Sequence, residues 1–183
     1  VNTSETTKEE LSRMMVGRPV QLVVDKTPAK PGEPVLEVEN LTVPSQLHKN
    51  DAVKGVSFTA RRGEIVCIAG IDGNGQSELV YALTGLEKAS GGKITLLGKD
   101  ITHASIRQRS FAGMSHIPED RHKHGLVLDY TLEQNLVLQR YYEPQFQHGG
   151  FIRFDEVRKY ADKLIEEYDI RSGQGPVTIA RSM

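Results

Sequence analysis

Residues 64–83 run from an apolar stretch through a glycine loop into a helix, and this succession limits the possible folds more than anything else in the chain. Glu64-Ile65-Val66-Cys67-Ile68-Ala69 is short and apolar and reads as a buried strand. Gly70-Ile71-Asp72-Gly73-Asn74-Gly75-Gln76-Ser77 follows. Ser77-Glu78-Leu79-Val80-Tyr81-Ala82-Leu83 then reads as a helix, with Leu79, Val80 and Leu83 spaced to face a core. Strand, glycine loop and helix together let backbone N–H groups wrap a phosphate at a helix N-terminus. The pattern G-x-x-x-x-G-K-[ST] is met at Gly70, Gly75 and Ser77, but Gln76 stands where the lysine belongs. Glycines at 70, 73 and 75 permit backbone angles that let amides converge on an anion. Ser77 is placed to ligate Mg²⁺ through its hydroxyl. Gln76 can donate a hydrogen bond but carries no charge, and a charge-assisted contact is roughly twice as strong as a neutral one. Weaker nucleotide binding and a larger loss of transition-state stabilisation are expected. Taken alone, these residues also suit an ordinary glycine-rich turn.

The chain has 183 residues, enough for one domain plus a tail. Lys plus Arg number 23 and Asp plus Glu 24, so no basic footprint points to nucleic acid. No apolar run is long enough to span a bilayer, and the polar start Val1-Asn2-Thr3-Ser4-Glu5 does not read as a signal peptide. Cys67 is the only cysteine. In the expected strand it would be buried and inert, which suits a reducing cytoplasm.

Glu5 to Gly17 reads as a polar helix with a glycine stop. Residues 25–34 hold three prolines and a glycine and read as a linker, with a domain boundary there. Val35 to Val43 and Ala52 to Ala60 alternate as half-exposed strands, and Arg61-Arg62-Gly63 turns between the second strand and the apolar run. Lys93 to Leu97 is a further strand, Ser105 to Phe111 a short helix, and Met114 to Ile117 another strand ended by Pro118. Thr131 opens a helix through Arg140, and Tyr141 to Gly150 reads as loop. Phe154 to Ile170 is a helix with Val157, Ala161, Leu164, Ile165 and Tyr168 on one stripe. Gly173 to Met183 carries no element.

The order of elements resembles the nucleotide-binding domain of an ABC transporter. Val53-Lys54-Gly55-Val56-Ser57-Phe58, then Arg62-Gly63-Glu64-Ile65, then the loop, is similar to the way that family begins. Ile117-Pro118-Glu119-Asp120-Arg121, Gly125-Leu126-Val127 and Thr131-Leu132-Glu133-Gln134-Asn135-Leu136 resemble the second ATPase half of tandem subunits that power importers of simple sugars and nucleosides. Met14-Met15-Val16-Gly17-Arg18 resembles the end of the first half. The loop phrase Gly73-Asn74-Gly75-Gln76-Ser77-Glu78 looks most like the nucleoside branch. The resemblance implies an α/β fold: an incomplete P-loop NTPase (ABC) core, with an antiparallel β subdomain and part of the helical subdomain. Residues 1–34 would be the end of a preceding domain and a linker, and 35–183 the N-terminal portion of a nucleotide-binding domain.

Several roles follow from the resemblance rather than from spacing. Gly70, Asp72, Gly73, Asn74, Gly75, Gln76, Ser77 and Glu78 would bind ATP, and Ser77 and Glu119 would hold Mg²⁺. Glu119 falls where the family usually has a glutamine that senses the metal and touches the permease; an ionised acid there cannot donate a hydrogen bond. The adenine-stacking aromatic expected near Val43 to His48 is missing, leaving His48 as the only ring. No segment supplies the Ser-Gly-Gly signature, the Walker B aspartate, the catalytic glutamate or the switch histidine, so the chain is expected to be a fragment without ATPase activity of its own. Transmembrane permease subunits, the first nucleotide-binding domain of the same subunit and, indirectly, a solute-binding protein would be the partners, at the cytoplasmic face of the membrane. The fragment's exposed apolar edges would favour self-association.

His116, His122 and His124 flank Glu119 and Asp120, but a metal site needs ligands fixed by converging elements, and a solvated charged loop is the simpler reading. Two functions compete within the family reading: an energy-coupling module, and a degenerate structural or regulatory half-site. An unrelated P-loop phosphotransferase is the third reading, against which the linker and the Pro118-Glu119-Asp120-Arg121 segment weigh.

Overall fold

Apolar residues alternate along the first strand only as far as Val38 and then slip by one position, so that Val38, Leu41 and Val43 are all buried. A bulge makes this possible. In the computed structural model, which describes residues 6–19, 26–46 and 49–183, β1 (Pro34–Pro44) pairs antiparallel with β2 (Asp51–Arg61), and the register shifts between Val38 and Leu41. Asn40 takes a left-handed φ of 48° there, and its N–H donates to Ser57 Oγ at 2.8 Å. The extra residue turns the next apolar pair back to the same face. On the other edge β1 pairs antiparallel with β3 (Gly91–Leu96), and β4 (Lys99–Asp100) completes a four-stranded sheet in the order β2-β1-β3-β4. Gly92 lies so close to the bulge that a Cβ on it would sit 2.5 Å from the Asn40 carbonyl oxygen.

This sheet belongs to the first of two compact units, Val1–Met114 and Ser115–Met183. Its core joins Val38, Leu41 and Val43 to Val53, Ile94, Leu96 and Ile101, with Leu79 and Ala82 of α2 (Gln76–Thr84) packed on it. The helix α1 (Lys8–Val16) is capped by Thr7 and stopped by Gly17 at φ 77°, but buries no residue. Glu5, at the start of the expected helix, and Asp25, at the start of the expected linker, lie outside the described residues.

The expected strand at 64–69 does not form: residues 64–70 carry no regular element and are exposed. Ile65 is 90% exposed, and Cys67, expected to be buried, is exposed as well. A strand gains its backbone hydrogen bonds from neighbours. The described sheet does not include this segment, so its apolar content has nothing to pair with.

The chain after Asp100 continues into α3 (Ile106–Phe111), the short helix expected there, which a Ser105–Gln108 capping box opens. Arg109 of α3 is 3% exposed. Its guanidinium donates to the carbonyls of Ala82 (3.2 Å), Leu83 (2.7 Å), Thr102 (2.9 Å) and Ala104 (3.0 Å). Two of these acceptors are orphan carbonyls of the last turn of α2, where a cation also complements the helix dipole.

Where the second unit begins, Met114 to Ile117 is not a strand, and Ile117 is exposed. Arg121–Gly125 winds into a single π turn whose first N–H groups are capped by Asp120, rather than a plain loop. Thr131 opens α4 (Leu132–Val137) with a capping box to Gln134, three residues shorter than expected. Asn135 closes the preceding turn, donating from Nδ2 to the Val127 and Thr131 carbonyls and accepting from the Val127 N–H. The expected loop 141–150 contains β5 (Gln147–His148), which forms a hairpin with β6 (Phe151–Ile152) across Gly149-Gly150 at φ 58° and 88°. It also supplies Phe146, fully buried with Val137 and with Val157 of α5 (Phe154–Glu167). On α5, Val157 and Ala161 are buried as the stripe requires, but Tyr168 lies beyond the helix and is exposed. Glu133, 8% exposed, is held by the Arg158 guanidinium. The tail 173–183, expected to lack structure, makes two 3-10 turns and an isolated bridge from Ile179 to Thr131.

Candidate functional site

The glycine loop is fixed from its helical side. Gly75 is the N-cap of α2 at φ 93°, and a Cβ there would stand 2.5 Å from the Ala52 carbonyl oxygen, so only glycine lets β2 and the loop approach this closely. Gly73 is left-handed too, at φ 81°. The Asn74 N–H donates to the Ile71 carbonyl at 3.2 Å, and the Leu79 N–H to that of Gly75 at 2.9 Å. No side chain caps the start of α2. Its first turn therefore presents main-chain donors and the positive end of the dipole to the loop.

Between this loop and β2 lies a cleft of about 740 Å³, within the range of about 300–1,000 Å³ typical of small-molecule sites. Of the residues the sequence singles out, Gly70, Gly73, Asn74, Gly75, Gln76 and Glu78 line it. Asp72 is exposed in the same loop, and Ser77 is half-buried in the first turn of α2. Gln76 Nε2 donates to the Ile71 carbonyl at 3.2 Å, and the amide lies where a Cβ on Gly70 would be, 1.9 Å away. A side chain at position 70 would have to displace the Gln76 amide from this place. Glycines with positive φ, an uncapped helix start and a cleft against β2 fit a phosphate group.

Glu119 is exposed in the second unit, in the residues before the π turn. His48 lies outside the described residues. Among the described residues no group of three His, Cys, Asp or Glu side chains is placed to hold a metal ion. Among the described residues, the charged ones that line the cleft are Asp51, Lys54 and Glu78. Glu87, outside the cleft lining, accepts from Gln46 Nε2 at 2.7 Å. Burial, and then the Glu78 charge, holds the Glu87 carboxyl above its ordinary range.

Two residues escaped the sequence reading. Lys54 stood inside a family-like phrase and drew notice only as part of that pattern. Arg109 sits in a helix with Arg107 beside it and looks like one more solvated charge; the only available hint was its place between Ser105, a cap, and Phe111.

Comparison with known proteins agrees with this geometry. The ABC transporter family profile matches residues 53–178. The chain is 43% identical over its whole length to the nucleoside import ATP-binding protein NupA of Lactococcus lactis subsp. cremoris, covering 36% of that protein. It is 44% identical over 94% of its length to the guanosine import ATP-binding protein NupO of Bacillus subtilis, covering 34% of it. A ribose import ATP-binding protein of Rhizobium etli is 38% identical over 92% of the chain, which spans 31% of it. The chain thus spans about a third of the length of these curated relatives. Among solved structures, a nucleotide-free ATP-binding cassette from an ABC transporter superposes with a TM-score of 0.59 at 20% identity, covering 82% of this chain and 59% of that one. A dimeric cassette in a post-hydrolysis state bound to ADP and Pi gives 0.61 at 17% identity, covering 81% and 62%. With the glycine loop, α2, β3 and β4 inside the matched region, the chain belongs to the ABC transporter family and has the fold of part of its ATP-binding cassette.

Proposed function

We propose that this chain is part of the ATP-binding, energy-coupling subunit of an ABC importer of nucleosides or simple sugars, and that its glycine loop is a degenerate nucleotide site. The observation that carries the reading is the cleft against β2, lined by six residues of the expected loop set within the family-matched region. The import function and the solute class rest on the names of relatives of which this chain covers about a third. In this reading residues 1–34 are the end of a preceding domain and a linker, and 35–183 the N-terminal portion of the second nucleotide-binding domain of a tandem subunit. Gly70, Asp72, Gly73, Asn74, Gly75, Gln76, Ser77 and Glu78 would hold the phosphates of ATP, with Ser77 toward Mg²⁺. When bound, the metal would supply charge neutralisation on the phosphate oxygens. The chain's own contribution is positioning: left-handed glycines aim amides at the anion, and the α2 dipole favours negative charge there. The partner surfaces would be permease subunits and the first nucleotide-binding domain, at the cytoplasmic face; among the described residues no helix is long and apolar enough to cross a membrane.

A second reading, a structural or regulatory half-site docked on the permease, draws on one observation: the Gln76 amide is bonded to its own loop at Ile71. Calorimetric titration with MgATP separates the two, repeated on Gln76→Lys. Micromolar binding by the native chain, without turnover, is the result expected of a nucleotide site. Binding only in Gln76→Lys would favour the half-site. Binding in neither would overturn the nucleotide-site reading for this chain.

A further inference from the structure

We propose that Lys54 of β2 supplies the phosphate-facing charge in this cleft, taking over what Gln76 cannot carry; the inference rests on the nucleotide-site reading above. The cleft is lined by Asp51 and Glu78 as well as Lys54, and among the described residues Lys54 is its only basic one. Without it, the charged residues that line the cleft among the described residues would both be acidic. The position is held by the fold. Ala52 abuts Gly75 at the loop's end, and Val53 between them is 4% exposed and anchored in the core. Lys54 follows directly on the same strand with an exposed side chain. Its flexible stem and compact ammonium suit contact with a phosphate oxygen as a point charge. Among the described residues Lys54 makes no ion pair.

Gln76, by contrast, is occupied. Its amide donates to the Ile71 carbonyl and covers Gly70. The two duties of the lysine in the ordinary loop, shaping the turn and neutralising charge, are divided here between Gln76 and Lys54.

The test is calorimetric titration of the full chain with MgATP and, separately, with inorganic triphosphate, at low and high salt. The native chain is expected to bind both, more weakly as salt rises. A charged hydrogen bond is worth about 1.5–3 kcal/mol, so Lys54→Ala should weaken both ligands by roughly tenfold or more and flatten the salt dependence. Lys54→Met, which keeps the stem, should show the same loss, and Lys54→Arg should stay within about threefold of the native chain. Gln76→Lys placed in Lys54→Ala should recover most of the affinity. Unchanged circular dichroism would confirm that the variants fold. Native binding of MgATP with Lys54→Ala and Lys54→Met unaffected would overturn the role of Lys54 alone. A native chain that binds neither ligand, at either salt, would overturn the nucleotide-site reading and this inference with it.

Discussion

The two flanks of the glycine loop differ in a way their composition does not foretell. Residues 64–69 are the more uniformly apolar, yet they are exposed and form no strand. Residues 76–84 carry Gln76, Ser77, Glu78 and Thr84, yet form a helix with Leu79 and Ala82 in the core. A helix satisfies its backbone within itself and needs others only to cover one stripe. A strand has no internal hydrogen bonds and exists only when a neighbour offers its own donors and acceptors. The apolar run therefore signals what it would do between two strands, not what it does beside none.

Arg109 is the strongest reason why the helical flank holds. It closes carbonyls at the end of α2 and ties them to Thr102 and Ala104. Burial lowers the Arg109 pKa, but a guanidinium stays charged in proteins. Arg109→Ala is expected to cost about 3–5 kcal/mol, because each buried acceptor left unmade costs about 1–3 kcal/mol and some regain water. Urea unfolding followed by circular dichroism would read this as a lower midpoint at unchanged slope. A loss under about 1 kcal/mol would mean that α2 is held by apolar packing alone.

Gly75→Ala attacks the same flank at its other end. It combines a left-handed φ of 93° with a contact of 2.5 Å to the Ala52 backbone. The expected loss is about 2–4 kcal/mol, from backbone strain plus a displaced strand. It should fall on the cleft as well as on stability. A variant that unfolds like the native chain would show that β2 yields easily, and would weaken the claim that the loop is fixed from this side.

Hydrogen exchange and thiol labelling compare the flanks directly. Amides of 79–84 are expected to exchange only through opening of α2, whereas those of 65–71 should exchange with little protection. Cys67 is exposed and should react with a thiol reagent at close to the rate of a free peptide thiol. Slow labelling, reversed by mild urea, would mean that the segment is covered in solution.

Legibility in the sequence followed the same division. Elements that rest on local chemistry were readable: α4 from the cap at Thr131, α1 from its Gly17 stop, α5 from its periodic stripe, and α3 as a short helix near Ser105–Phe111. So were β1 and β2, whose pairing is between sequence neighbours. The left-handed turn at Gly73 and Gly75 was readable because glycine spacing is itself the geometry. What failed depends on distant partners. The strands expected at 64–69 and 114–117 have none in the described sheet, and Phe146 becomes a core residue only because α4, β6 and α5 converge on it. Lys54 and Arg109 were hidden for a related reason: a single charged residue carries no period, and only packing shows which carbonyl or cleft it faces.

The smallest expected effect is the one that bears most directly on the comparison. Ile65→Ser removes a large apolar side chain that is 90% exposed here, so it should shift stability by no more than about 0.5 kcal/mol, the usual range for surface positions. Were the run a buried strand, the same change would delete a core side chain and introduce an unpaired hydroxyl, at about 3–5 kcal/mol. The two cases differ by an order of magnitude, and one urea titration separates them. The substitution can also be placed in a protein of the relatives' full length, where the proposed remainder of the domain would offer strands to pair with. There the larger loss is expected. A small effect in the chain and a large one in the longer protein would mean that the glycine loop has one flank built by its own sequence and the other supplied by its surroundings. A small effect in both would mean that the run stays outside the sheet even in the complete domain.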